Sequence, residues 1–192
     1  MRLRLFVFAL LAAASFSAAA GSVDVNVSNG TIEAKYYANA GAADWTFGGL
    51  YNRDTKDRAL NVGLLATGDS AFGNSRLEGG LGGKLYSVTV HSRTEGSVTV
   101  PNADVLALAL GGQLRWFPGN GSFALGTYVF YAPHVVTLMD GQSFYDIGVR
   151  AELEVIRNSF VYVGYRQVQA ELDNNVKLNV DKGGFVGLQI KF

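Results

Sequence analysis

The residues best suited to acid–base chemistry in this chain are its two histidines, His91 and His134. Asp140 and Ser143 follow His134 closely in sequence, and hydrolases combine a hydroxyl, an imidazole and a carboxylate for nucleophilic catalysis. Both histidines fall in predicted loops, so this constellation requires a loop that folds back on itself. A loop-based hydrolase using His134 is one hypothesis. The alternative, which we expect, is a solvent-exposed histidine after Pro133 in a protein that is not an enzyme.

A glycine-rich stretch at 78–85, EGGLGGKL, raises the possibility of a phosphate-binding loop. A P-loop requires Gly where Glu78 stands and Ser or Thr where Leu85 stands. A dinucleotide fingerprint would require a third Gly at position 85 and a helix after it, whereas the segment YSVTV that follows favours extended chain. Alternation of Leu and Gly then indicates a strand, in which the glycines permit coiling and close packing.

Metal and cofactor sites are not expected. The chain has no Cys, which excludes disulfides and Cys-based metal sites. The acidic-polar stretch at 173–175, Asp-Asn-Asn, lacks the spacing of a twelve-residue calcium loop and is interpreted as a solvated loop. We therefore predict no cofactor and no metal.

The first 20 residues have the features of a secretory signal peptide. Arg2 and Arg4 precede a short apolar run, and an A-x-A-like site ends at Ala20. The run is too short for a membrane-spanning helix. We predict a signal peptide over 1–20 and one domain over 21–192. Removing two of the 16 Lys/Arg, against 16 Asp/Glu, leaves a net charge of −2, so no nucleic-acid partner is implied.

Alternation of apolar and polar residues recurs along the remaining chain and predicts strands with one apolar face. The predicted strands are 22–28, 31–38, 44–51, 59–67, 77–90, 104–117, 122–131, 142–156, 159–172 and 180–192. Short turns at 39–43, 118–121 and 157–159 alternate with longer connections at 52–58, 91–103, 132–141 and 173–179. The segment 67–76 is the exception. The alternation of connections calls for a short turn here, but the residues themselves predict a long connection that includes a turn at 67–69.

Short turns at one end and long loops at the other are typical of a transmembrane barrel. We predict an all-β, antiparallel, up-and-down transmembrane β-barrel with short periplasmic turns and longer extracellular loops. Ten strands put both chain ends with the short turns. Eight strands remain the alternative if the two weak segments before residue 39 are not separate strands.

The aromatic residues on the apolar faces indicate that these faces point outward to lipid. Two groups flank an aliphatic band, as the two interfaces of a bilayer favour. The belt near the short turns comprises Tyr36, Trp45, Trp116 and Phe123, and the opposite belt comprises Tyr51, Tyr131 and Tyr145.

The last predicted strand alternates apolar residues up to an aromatic one, at Val186, Leu188, Ile190 and Phe192. Such strands are common in barrels of the Gram-negative outer membrane and are thought to be recognised during assembly. The expected partners are therefore outer-membrane lipid and the barrel assembly machinery. The alternative is an ordinary edge strand.

The opposite strand faces would place charges in the lumen. The predicted cluster comprises Glu78, Lys84, Arg115, Arg150, Glu152, Glu154 and Arg166. A three-residue turn at 157–159 would pair Ile156 with Phe160 and place Arg150 opposite Arg166, with Glu152 bridging both. Because a barrel of eight to ten strands leaves little free lumen, these charges would close it. A narrow channel for small solutes is the alternative function, and the ligand is unknown.

Several stretches resemble the YfaZ family of small outer-membrane proteins. They include AADWTFGGLYN at 42–52, GGLGGKLYSV at 79–88, DVLALALGGQLRWFPGNG at 104–121 and YAPHVVTLMDGQSFYDIGVRAELEV at 131–155. Shorter similarities are VSN from Val27, GLLATGD at 63–69 and VYVGYR at 161–166. The resemblance implies an outer-membrane barrel of the cell envelope and carries no assigned activity.

Overall fold

The computed structural model describes residues 20–95, 98–100, 102–172 and 177–192, and within them the chain is almost entirely β-structure. The strands are β1 (Gly21–Ser28), β2 (Thr31–Asn39), β3 (Ala43–Asn52), β4 (Arg58–Phe72), β5 (Ser75–Val90), β6 (Arg93–Glu95), β7 (Val98–Val100), β8 (Ala103–Phe117), β9 (Phe123–Ala132), β10 (Thr137–Met139), β11 (Gly141–Ile156), β12 (Ser159–Leu172) and β13 (Lys177–Lys191). Two 3-10 turns occur at Pro118–Asn120 and His134–Val136. None of the helices in the described residues is long and apolar enough to cross a membrane.

Ten of these strands form a closed antiparallel barrel, which confirms the predicted fold and the larger strand count. The strands follow one another around the wall in the order β1, β2, β3, β4, β5, β8, β9, β11, β12 and β13. Antiparallel pairing of β1 with β13 closes the barrel, from Ser22 opposite Lys191 to Ser28 opposite Phe185. Both weak segments before residue 39 are therefore separate wall strands.

The remaining strands belong to the long-loop end. β6 and β7 form a separate hairpin between β5 and β8. β10 pairs with β8, at Ala107, Leu106 and Val105, beyond the residues of β8 that pair with β9. The Asp57 side chain ties the β6 region to the β3–β4 loop, since it accepts hydrogen bonds from the His91 backbone (2.9 Å) and from Arg93 Nη1 (2.7 Å).

The predicted connection at 67–76 is wrong. These residues continue β4 and β5 as a hairpin, with Thr67 opposite Gly80 and Phe72 opposite Ser75. The polar Thr67–Gly68–Asp69 sequence suggested a turn, but the chain reverses later, at Gly73, whose φ is +57°. The pairing of β3 with β4 ends at Ala43 and Ala66, so the hairpin tip extends past the neighbouring turn. Phe72 at this tip is 84% exposed.

The outer wall is apolar. Large side chains such as Leu81 and Leu110 are 74% and 65% exposed, and they alternate with buried inward residues along each strand. The residues of the two predicted aromatic belts lie on this outer face, where Trp45, Trp116, Tyr51 and Tyr131 are exposed. Monomeric soluble proteins rarely expose contiguous apolar surface on this scale. A soluble barrel with an apolar lumen and a polar exterior is therefore excluded.

The glycine-rich stretch lies in β5, as predicted, and part of it explains how the wall bends. A Cβ on Gly82 would lie 2.0 Å from the Leu64 carbonyl oxygen, and one on the paired Gly111 would lie 2.0 Å from that of Val129. Only glycine permits such a close backbone approach. Gly79 has no such restriction, because its nearest neighbour would be a Leu114 methyl at 3.6 Å.

Candidate functional site

The lumen consists of two halves with different chemistry. Towards the long loops, inward side chains pack as a buried hydrophobic cluster, which we call the apolar half; its members include Val88, Val105, Phe130, Phe144, Val168 and Leu178. Towards the short turns, and along the β1, β2 and β13 side of the barrel, inward positions carry the ion pairs described below, which we call the charged half. The prediction of a charge-filled lumen therefore holds for only one half, because the long-loop ends of several strands have apolar residues on both faces.

Glu152 is the centre of the first ion-pair network in the charged half. Arg115 Nη2 donates to one of its carboxylate oxygens, and Arg150 Nε donates to the other at 2.9 Å. Arg150 also reaches across the lumen to Asp24 Oδ2 at 2.8 Å, and Tyr162 donates to the other oxygen of Asp24. Since Glu152 is 1% exposed, removing it would leave buried guanidinium groups with fewer partners.

Arg166 belongs to a second network on the β1, β2 and β13 wall. It donates to the carboxylates of Glu33 and Asp181 and, at 2.7 Å, to Asn26 Oδ1. Lys35 pairs with the same Glu33 at 2.9 Å. These contacts satisfy most of a guanidinium that is 1% exposed.

The predicted bridge from Glu152 to both Arg150 and Arg166 is wrong. Arg166 pairs in register with Gly148, Arg150 with Gly164, and Glu152 with Tyr162. The turn contains two residues, with Asn158 at φ 65°, and an irregularity between Glu154 and Ile156 shifts the register from the one expected for a three-residue turn. Glu152 therefore bridges Arg150 and Arg115.

The other predicted lumen charges occupy different positions. Glu78 accepts from Arg115 Nη1 at 3.4 Å and joins the first network. Glu154 lies beside the 157–158 turn, where its carboxylate accepts from the Asn158 backbone at 2.9 Å and makes no lumen ion pair among the described residues. Lys84 is 5% exposed, and its ammonium lies 3.9 Å from the centre of the Phe130 ring.

Asn26 and Asp181 were missed from the predicted cluster. The alternation of Asp24 and Asn26 with valines in β1 was a usable signal, because it places both on the polar face. Asp181 had no such signal. Adjacent Val180 and Asp181 are both buried, since the β12–β13 register shifts after Val168, and a bulge of this kind breaks a two-residue period.

The His134, Asp140 and Ser143 side chains are not joined by hydrogen bonds within the described residues. Asp140 accepts from the Asp104 backbone at 3.1 Å, and Ser143 donates to Glu171 at 3.3 Å. His134 begins the short 3-10 turn that precedes β10. The geometry therefore gives no support to the loop-hydrolase hypothesis. The 173–175 segment and the first 19 residues of the predicted signal peptide lie outside the described residues.

The fold and lumen define a class of protein, the closed antiparallel β-barrel with an apolar exterior and a lumen that is partly apolar and partly ion-paired. A family model with the description YfaZ precursor matches residues 1–192, so the chain belongs to the YfaZ family. A comparison with curated protein sequences finds no match.

Three solved structures are similar in fold. The outer membrane channel DcaP of Acinetobacter baumannii is 10% identical, with 88% of this chain and 54% of that chain covered and a TM-score of 0.39. A loop L8 deletion mutant of OmpT, an outer membrane protein of Vibrio cholerae, is 16% identical, with coverages of 84% and 63% and a TM-score of 0.37. The outer membrane protease OmpT from Escherichia coli is 14% identical, with coverages of 90% and 93% and a TM-score of 0.40. At these values no activity transfers to this chain.

Proposed function

We propose that the mature chain is an integral, non-catalytic barrel of the outer membrane whose lumen does not conduct. The observation that carries the proposal is the combination of an exposed apolar wall with a packed apolar half of the lumen. The wall suits lipid. The packed half should contain few voids larger than a water molecule, as other protein interiors do, and the polar Ser28 and Thr31 beside it are engaged with Asp181.

The orientation follows from the connections. In outer-membrane barrels the short turns face the periplasm and the long loops face outside. The 40–42, 73–74, 118–122 and 157–158 turns would then lie in the periplasm, and the β6–β7 hairpin would lie outside. An exported precursor with a signal peptide over residues 1–20 fits this arrangement.

Two measurements test the proposal. Membrane fractionation with heat-modifiable gel mobility should place the protein in the outer membrane as a folded barrel, and a soluble periplasmic product without a mobility shift would contradict it. Reconstitution of the purified protein into a planar bilayer should give no channels of porin size. Steady stepwise conductance of that size would favour the alternative function, a channel for small solutes.

We also propose that β13 is the segment recognised during assembly. Its outward side chains Val186, Leu188 and Ile190 are exposed on the barrel wall, as is Phe192, which directly follows the strand. Replacing Phe192 with Ala should lower the amount of folded barrel in membranes. Phe47→Ala, which removes another exposed aromatic side chain from the outer wall, in β3, is the matched control and should leave that amount unchanged. Unchanged membrane levels for Phe192→Ala would remove this role from Phe192.

A further inference from the structure

A cavity of about 410 Å³ occupies the charged half of the lumen. Its rim includes Asn39, Asp44 and Arg76, which lie at the short-turn end, and its inner lining includes Lys35, Lys84 and Tyr128. Tyr128 also packs against the apolar half, so the cavity ends where that half begins. The volume is within the range of small-molecule sites.

The inner end of this cavity carries hydrogen-bond donors that the protein leaves unengaged. Within the described residues, the Lys84 ammonium has no hydrogen bond or ion pair, and it lies 3.9 Å from the centre of the Phe130 ring. Tyr37 and Tyr128 line the same cavity, and their hydroxyls also lack a hydrogen-bond partner among those residues. A buried cation normally has a carboxylate partner, because desolvation is otherwise uncompensated.

Two nearby carboxylates are already shared between basic groups. Glu33 is shared by Lys35 and Arg166, and Glu152 is shared by Arg115 and Arg150. Asp146 lies in electrostatic range of Lys84 but beyond salt-bridge distance. It does not line the cavity; Tyr86 Oη donates to its Oδ2 at 2.8 Å, and its buried Oδ1 has no hydrogen-bond partner among the described residues. At Lys84, Tyr37 and Tyr128, which do line the cavity, the free capacity consists of donors.

We propose that this cavity binds a small oxyanion, a carboxylate or a phosphate group, through Lys84 with Tyr37 and Tyr128. An ammonium and two hydroxyls can donate to the several acceptor oxygens of such a group, and charge-assisted hydrogen bonds of this kind are the strong ones. The space for the Lys84 stem is provided by Gly63, where a Cβ would lie 2.5 Å from Lys84 Cγ. The ligand enters from the end that we propose faces the periplasm.

The test uses the full folded barrel in non-ionic detergent. Thermal unfolding is followed while inorganic phosphate, succinate or the short-chain lipid dihexanoyl phosphatidate is titrated at constant ionic strength, with chloride as the reference. Saturable stabilisation by an oxyanion is expected. If phosphate or succinate stabilises the barrel and the lipid does not, the natural ligand is a free solute. If only the lipid stabilises it, the ligand is a lipid headgroup.

Lys84→Met should weaken oxyanion binding at least about tenfold, since hydrogen bonds to charged groups are among the stronger ones. Lys182→Met, an exposed lysine outside the cavity lining, is the matched control and should bind like the parent protein. If Lys84→Met does not fold, Tyr128→Phe removes one hydroxyl only and should weaken binding about fivefold. No effect of oxyanions beyond that of chloride, or unchanged binding in the folded variants, overturns the proposal. This result leaves the closed-barrel function untouched, because the assay involves no conductance.

Discussion

The two halves of the lumen are built largely on the same strands, but the apolar half is packed whereas the charged half surrounds a cavity. In the apolar half, the Tyr86 and Phe144 rings pack with their centres 4.5 Å apart and their planes tilted by 41°, and the buried cluster around them includes small side chains such as Ala107 and Ala170. In the charged half, long side chains meet in pairs around an open cavity. The difference teaches that the ion pairs of this barrel line an open cavity, whereas side chains pack against one another in the apolar half, where the proposed closure lies.

The largest effect is expected from breaking the apolar half. Phe144→Ala would leave a void against Tyr86, and a fully buried Phe→Ala change costs about 3–5 kcal/mol of unfolding free energy. The same void would bring the end of the cavity closer to the long loops, so ion leak in a planar bilayer should rise. Denaturant unfolding and bilayer recordings measure the two effects.

Phe72→Ala is the matched control, since Phe72 is 84% exposed at the hairpin tip. It should change stability by less than about 0.5 kcal/mol. A Phe144→Ala protein as stable and as tight as this control would show that the apolar half is not the closure.

A smaller effect is expected from the charged half. Glu152→Ala removes the shared partner of Arg115 and Arg150 and should cost about 3 kcal/mol, the low end for a broken buried ion pair, because water can enter the neighbouring cavity. Leak should stay at the level of the parent protein. Glu154→Ala, which loses only the turn contact to Asn158, should cost no more than about 1 kcal/mol.

The comparison would be reversed if Glu152→Ala conducted while Phe144→Ala did not. The sequence-based expectation placed the closure in the charges, so this pair of recordings separates the two views. A cooperative unfolding transition in the same detergent shows that each variant is folded before its conductance is recorded.

The smallest effect is expected where the halves meet. Gly82 lies one inward position from Lys84, and an alanine there would press on the Leu64 carbonyl. Relief requires the backbone to move, at a cost of about 1–3 kcal/mol. Gly79→Ala should be neutral within about 0.5 kcal/mol, since its Cβ would make an ordinary contact. Equal unfolding midpoints for the two variants would contradict the close-approach explanation.

The barrel was predictable because alternation in β8 and β11 is regular and the short turns fall at one end. The outward positions of Trp45, Trp116 and Tyr131 followed from the same period. The hairpin over 67–76 was not predicted, since its polar residues resemble a turn and only pairing with β5 reveals a strand.

The candidate site was predictable in composition but not in connectivity. Glu152, Arg150 and Arg166 were recognised as lumen residues, yet a two-residue turn and an irregularity at Glu154 decide which carboxylate each arginine meets. Contacts across the lumen, such as Arg150 with Asp24, join strands that are far apart in sequence. Strand periodicity contains no information on such distances.

Closure of the wall by β1 and β13 has a consequence for folding kinetics. Ser22 meets Lys191 only after nearly all the described chain has been made, whereas each hairpin, such as β4 with β5, can form from neighbouring residues. Contacts this distant in sequence slow folding, because the loop entropy is lost before the contacts form. Until that step, β1 and β13 each present an unpaired edge that can bind another strand. The seam between them is therefore the place where a chaperone or a catalyst of insertion would have the greatest influence on the rate.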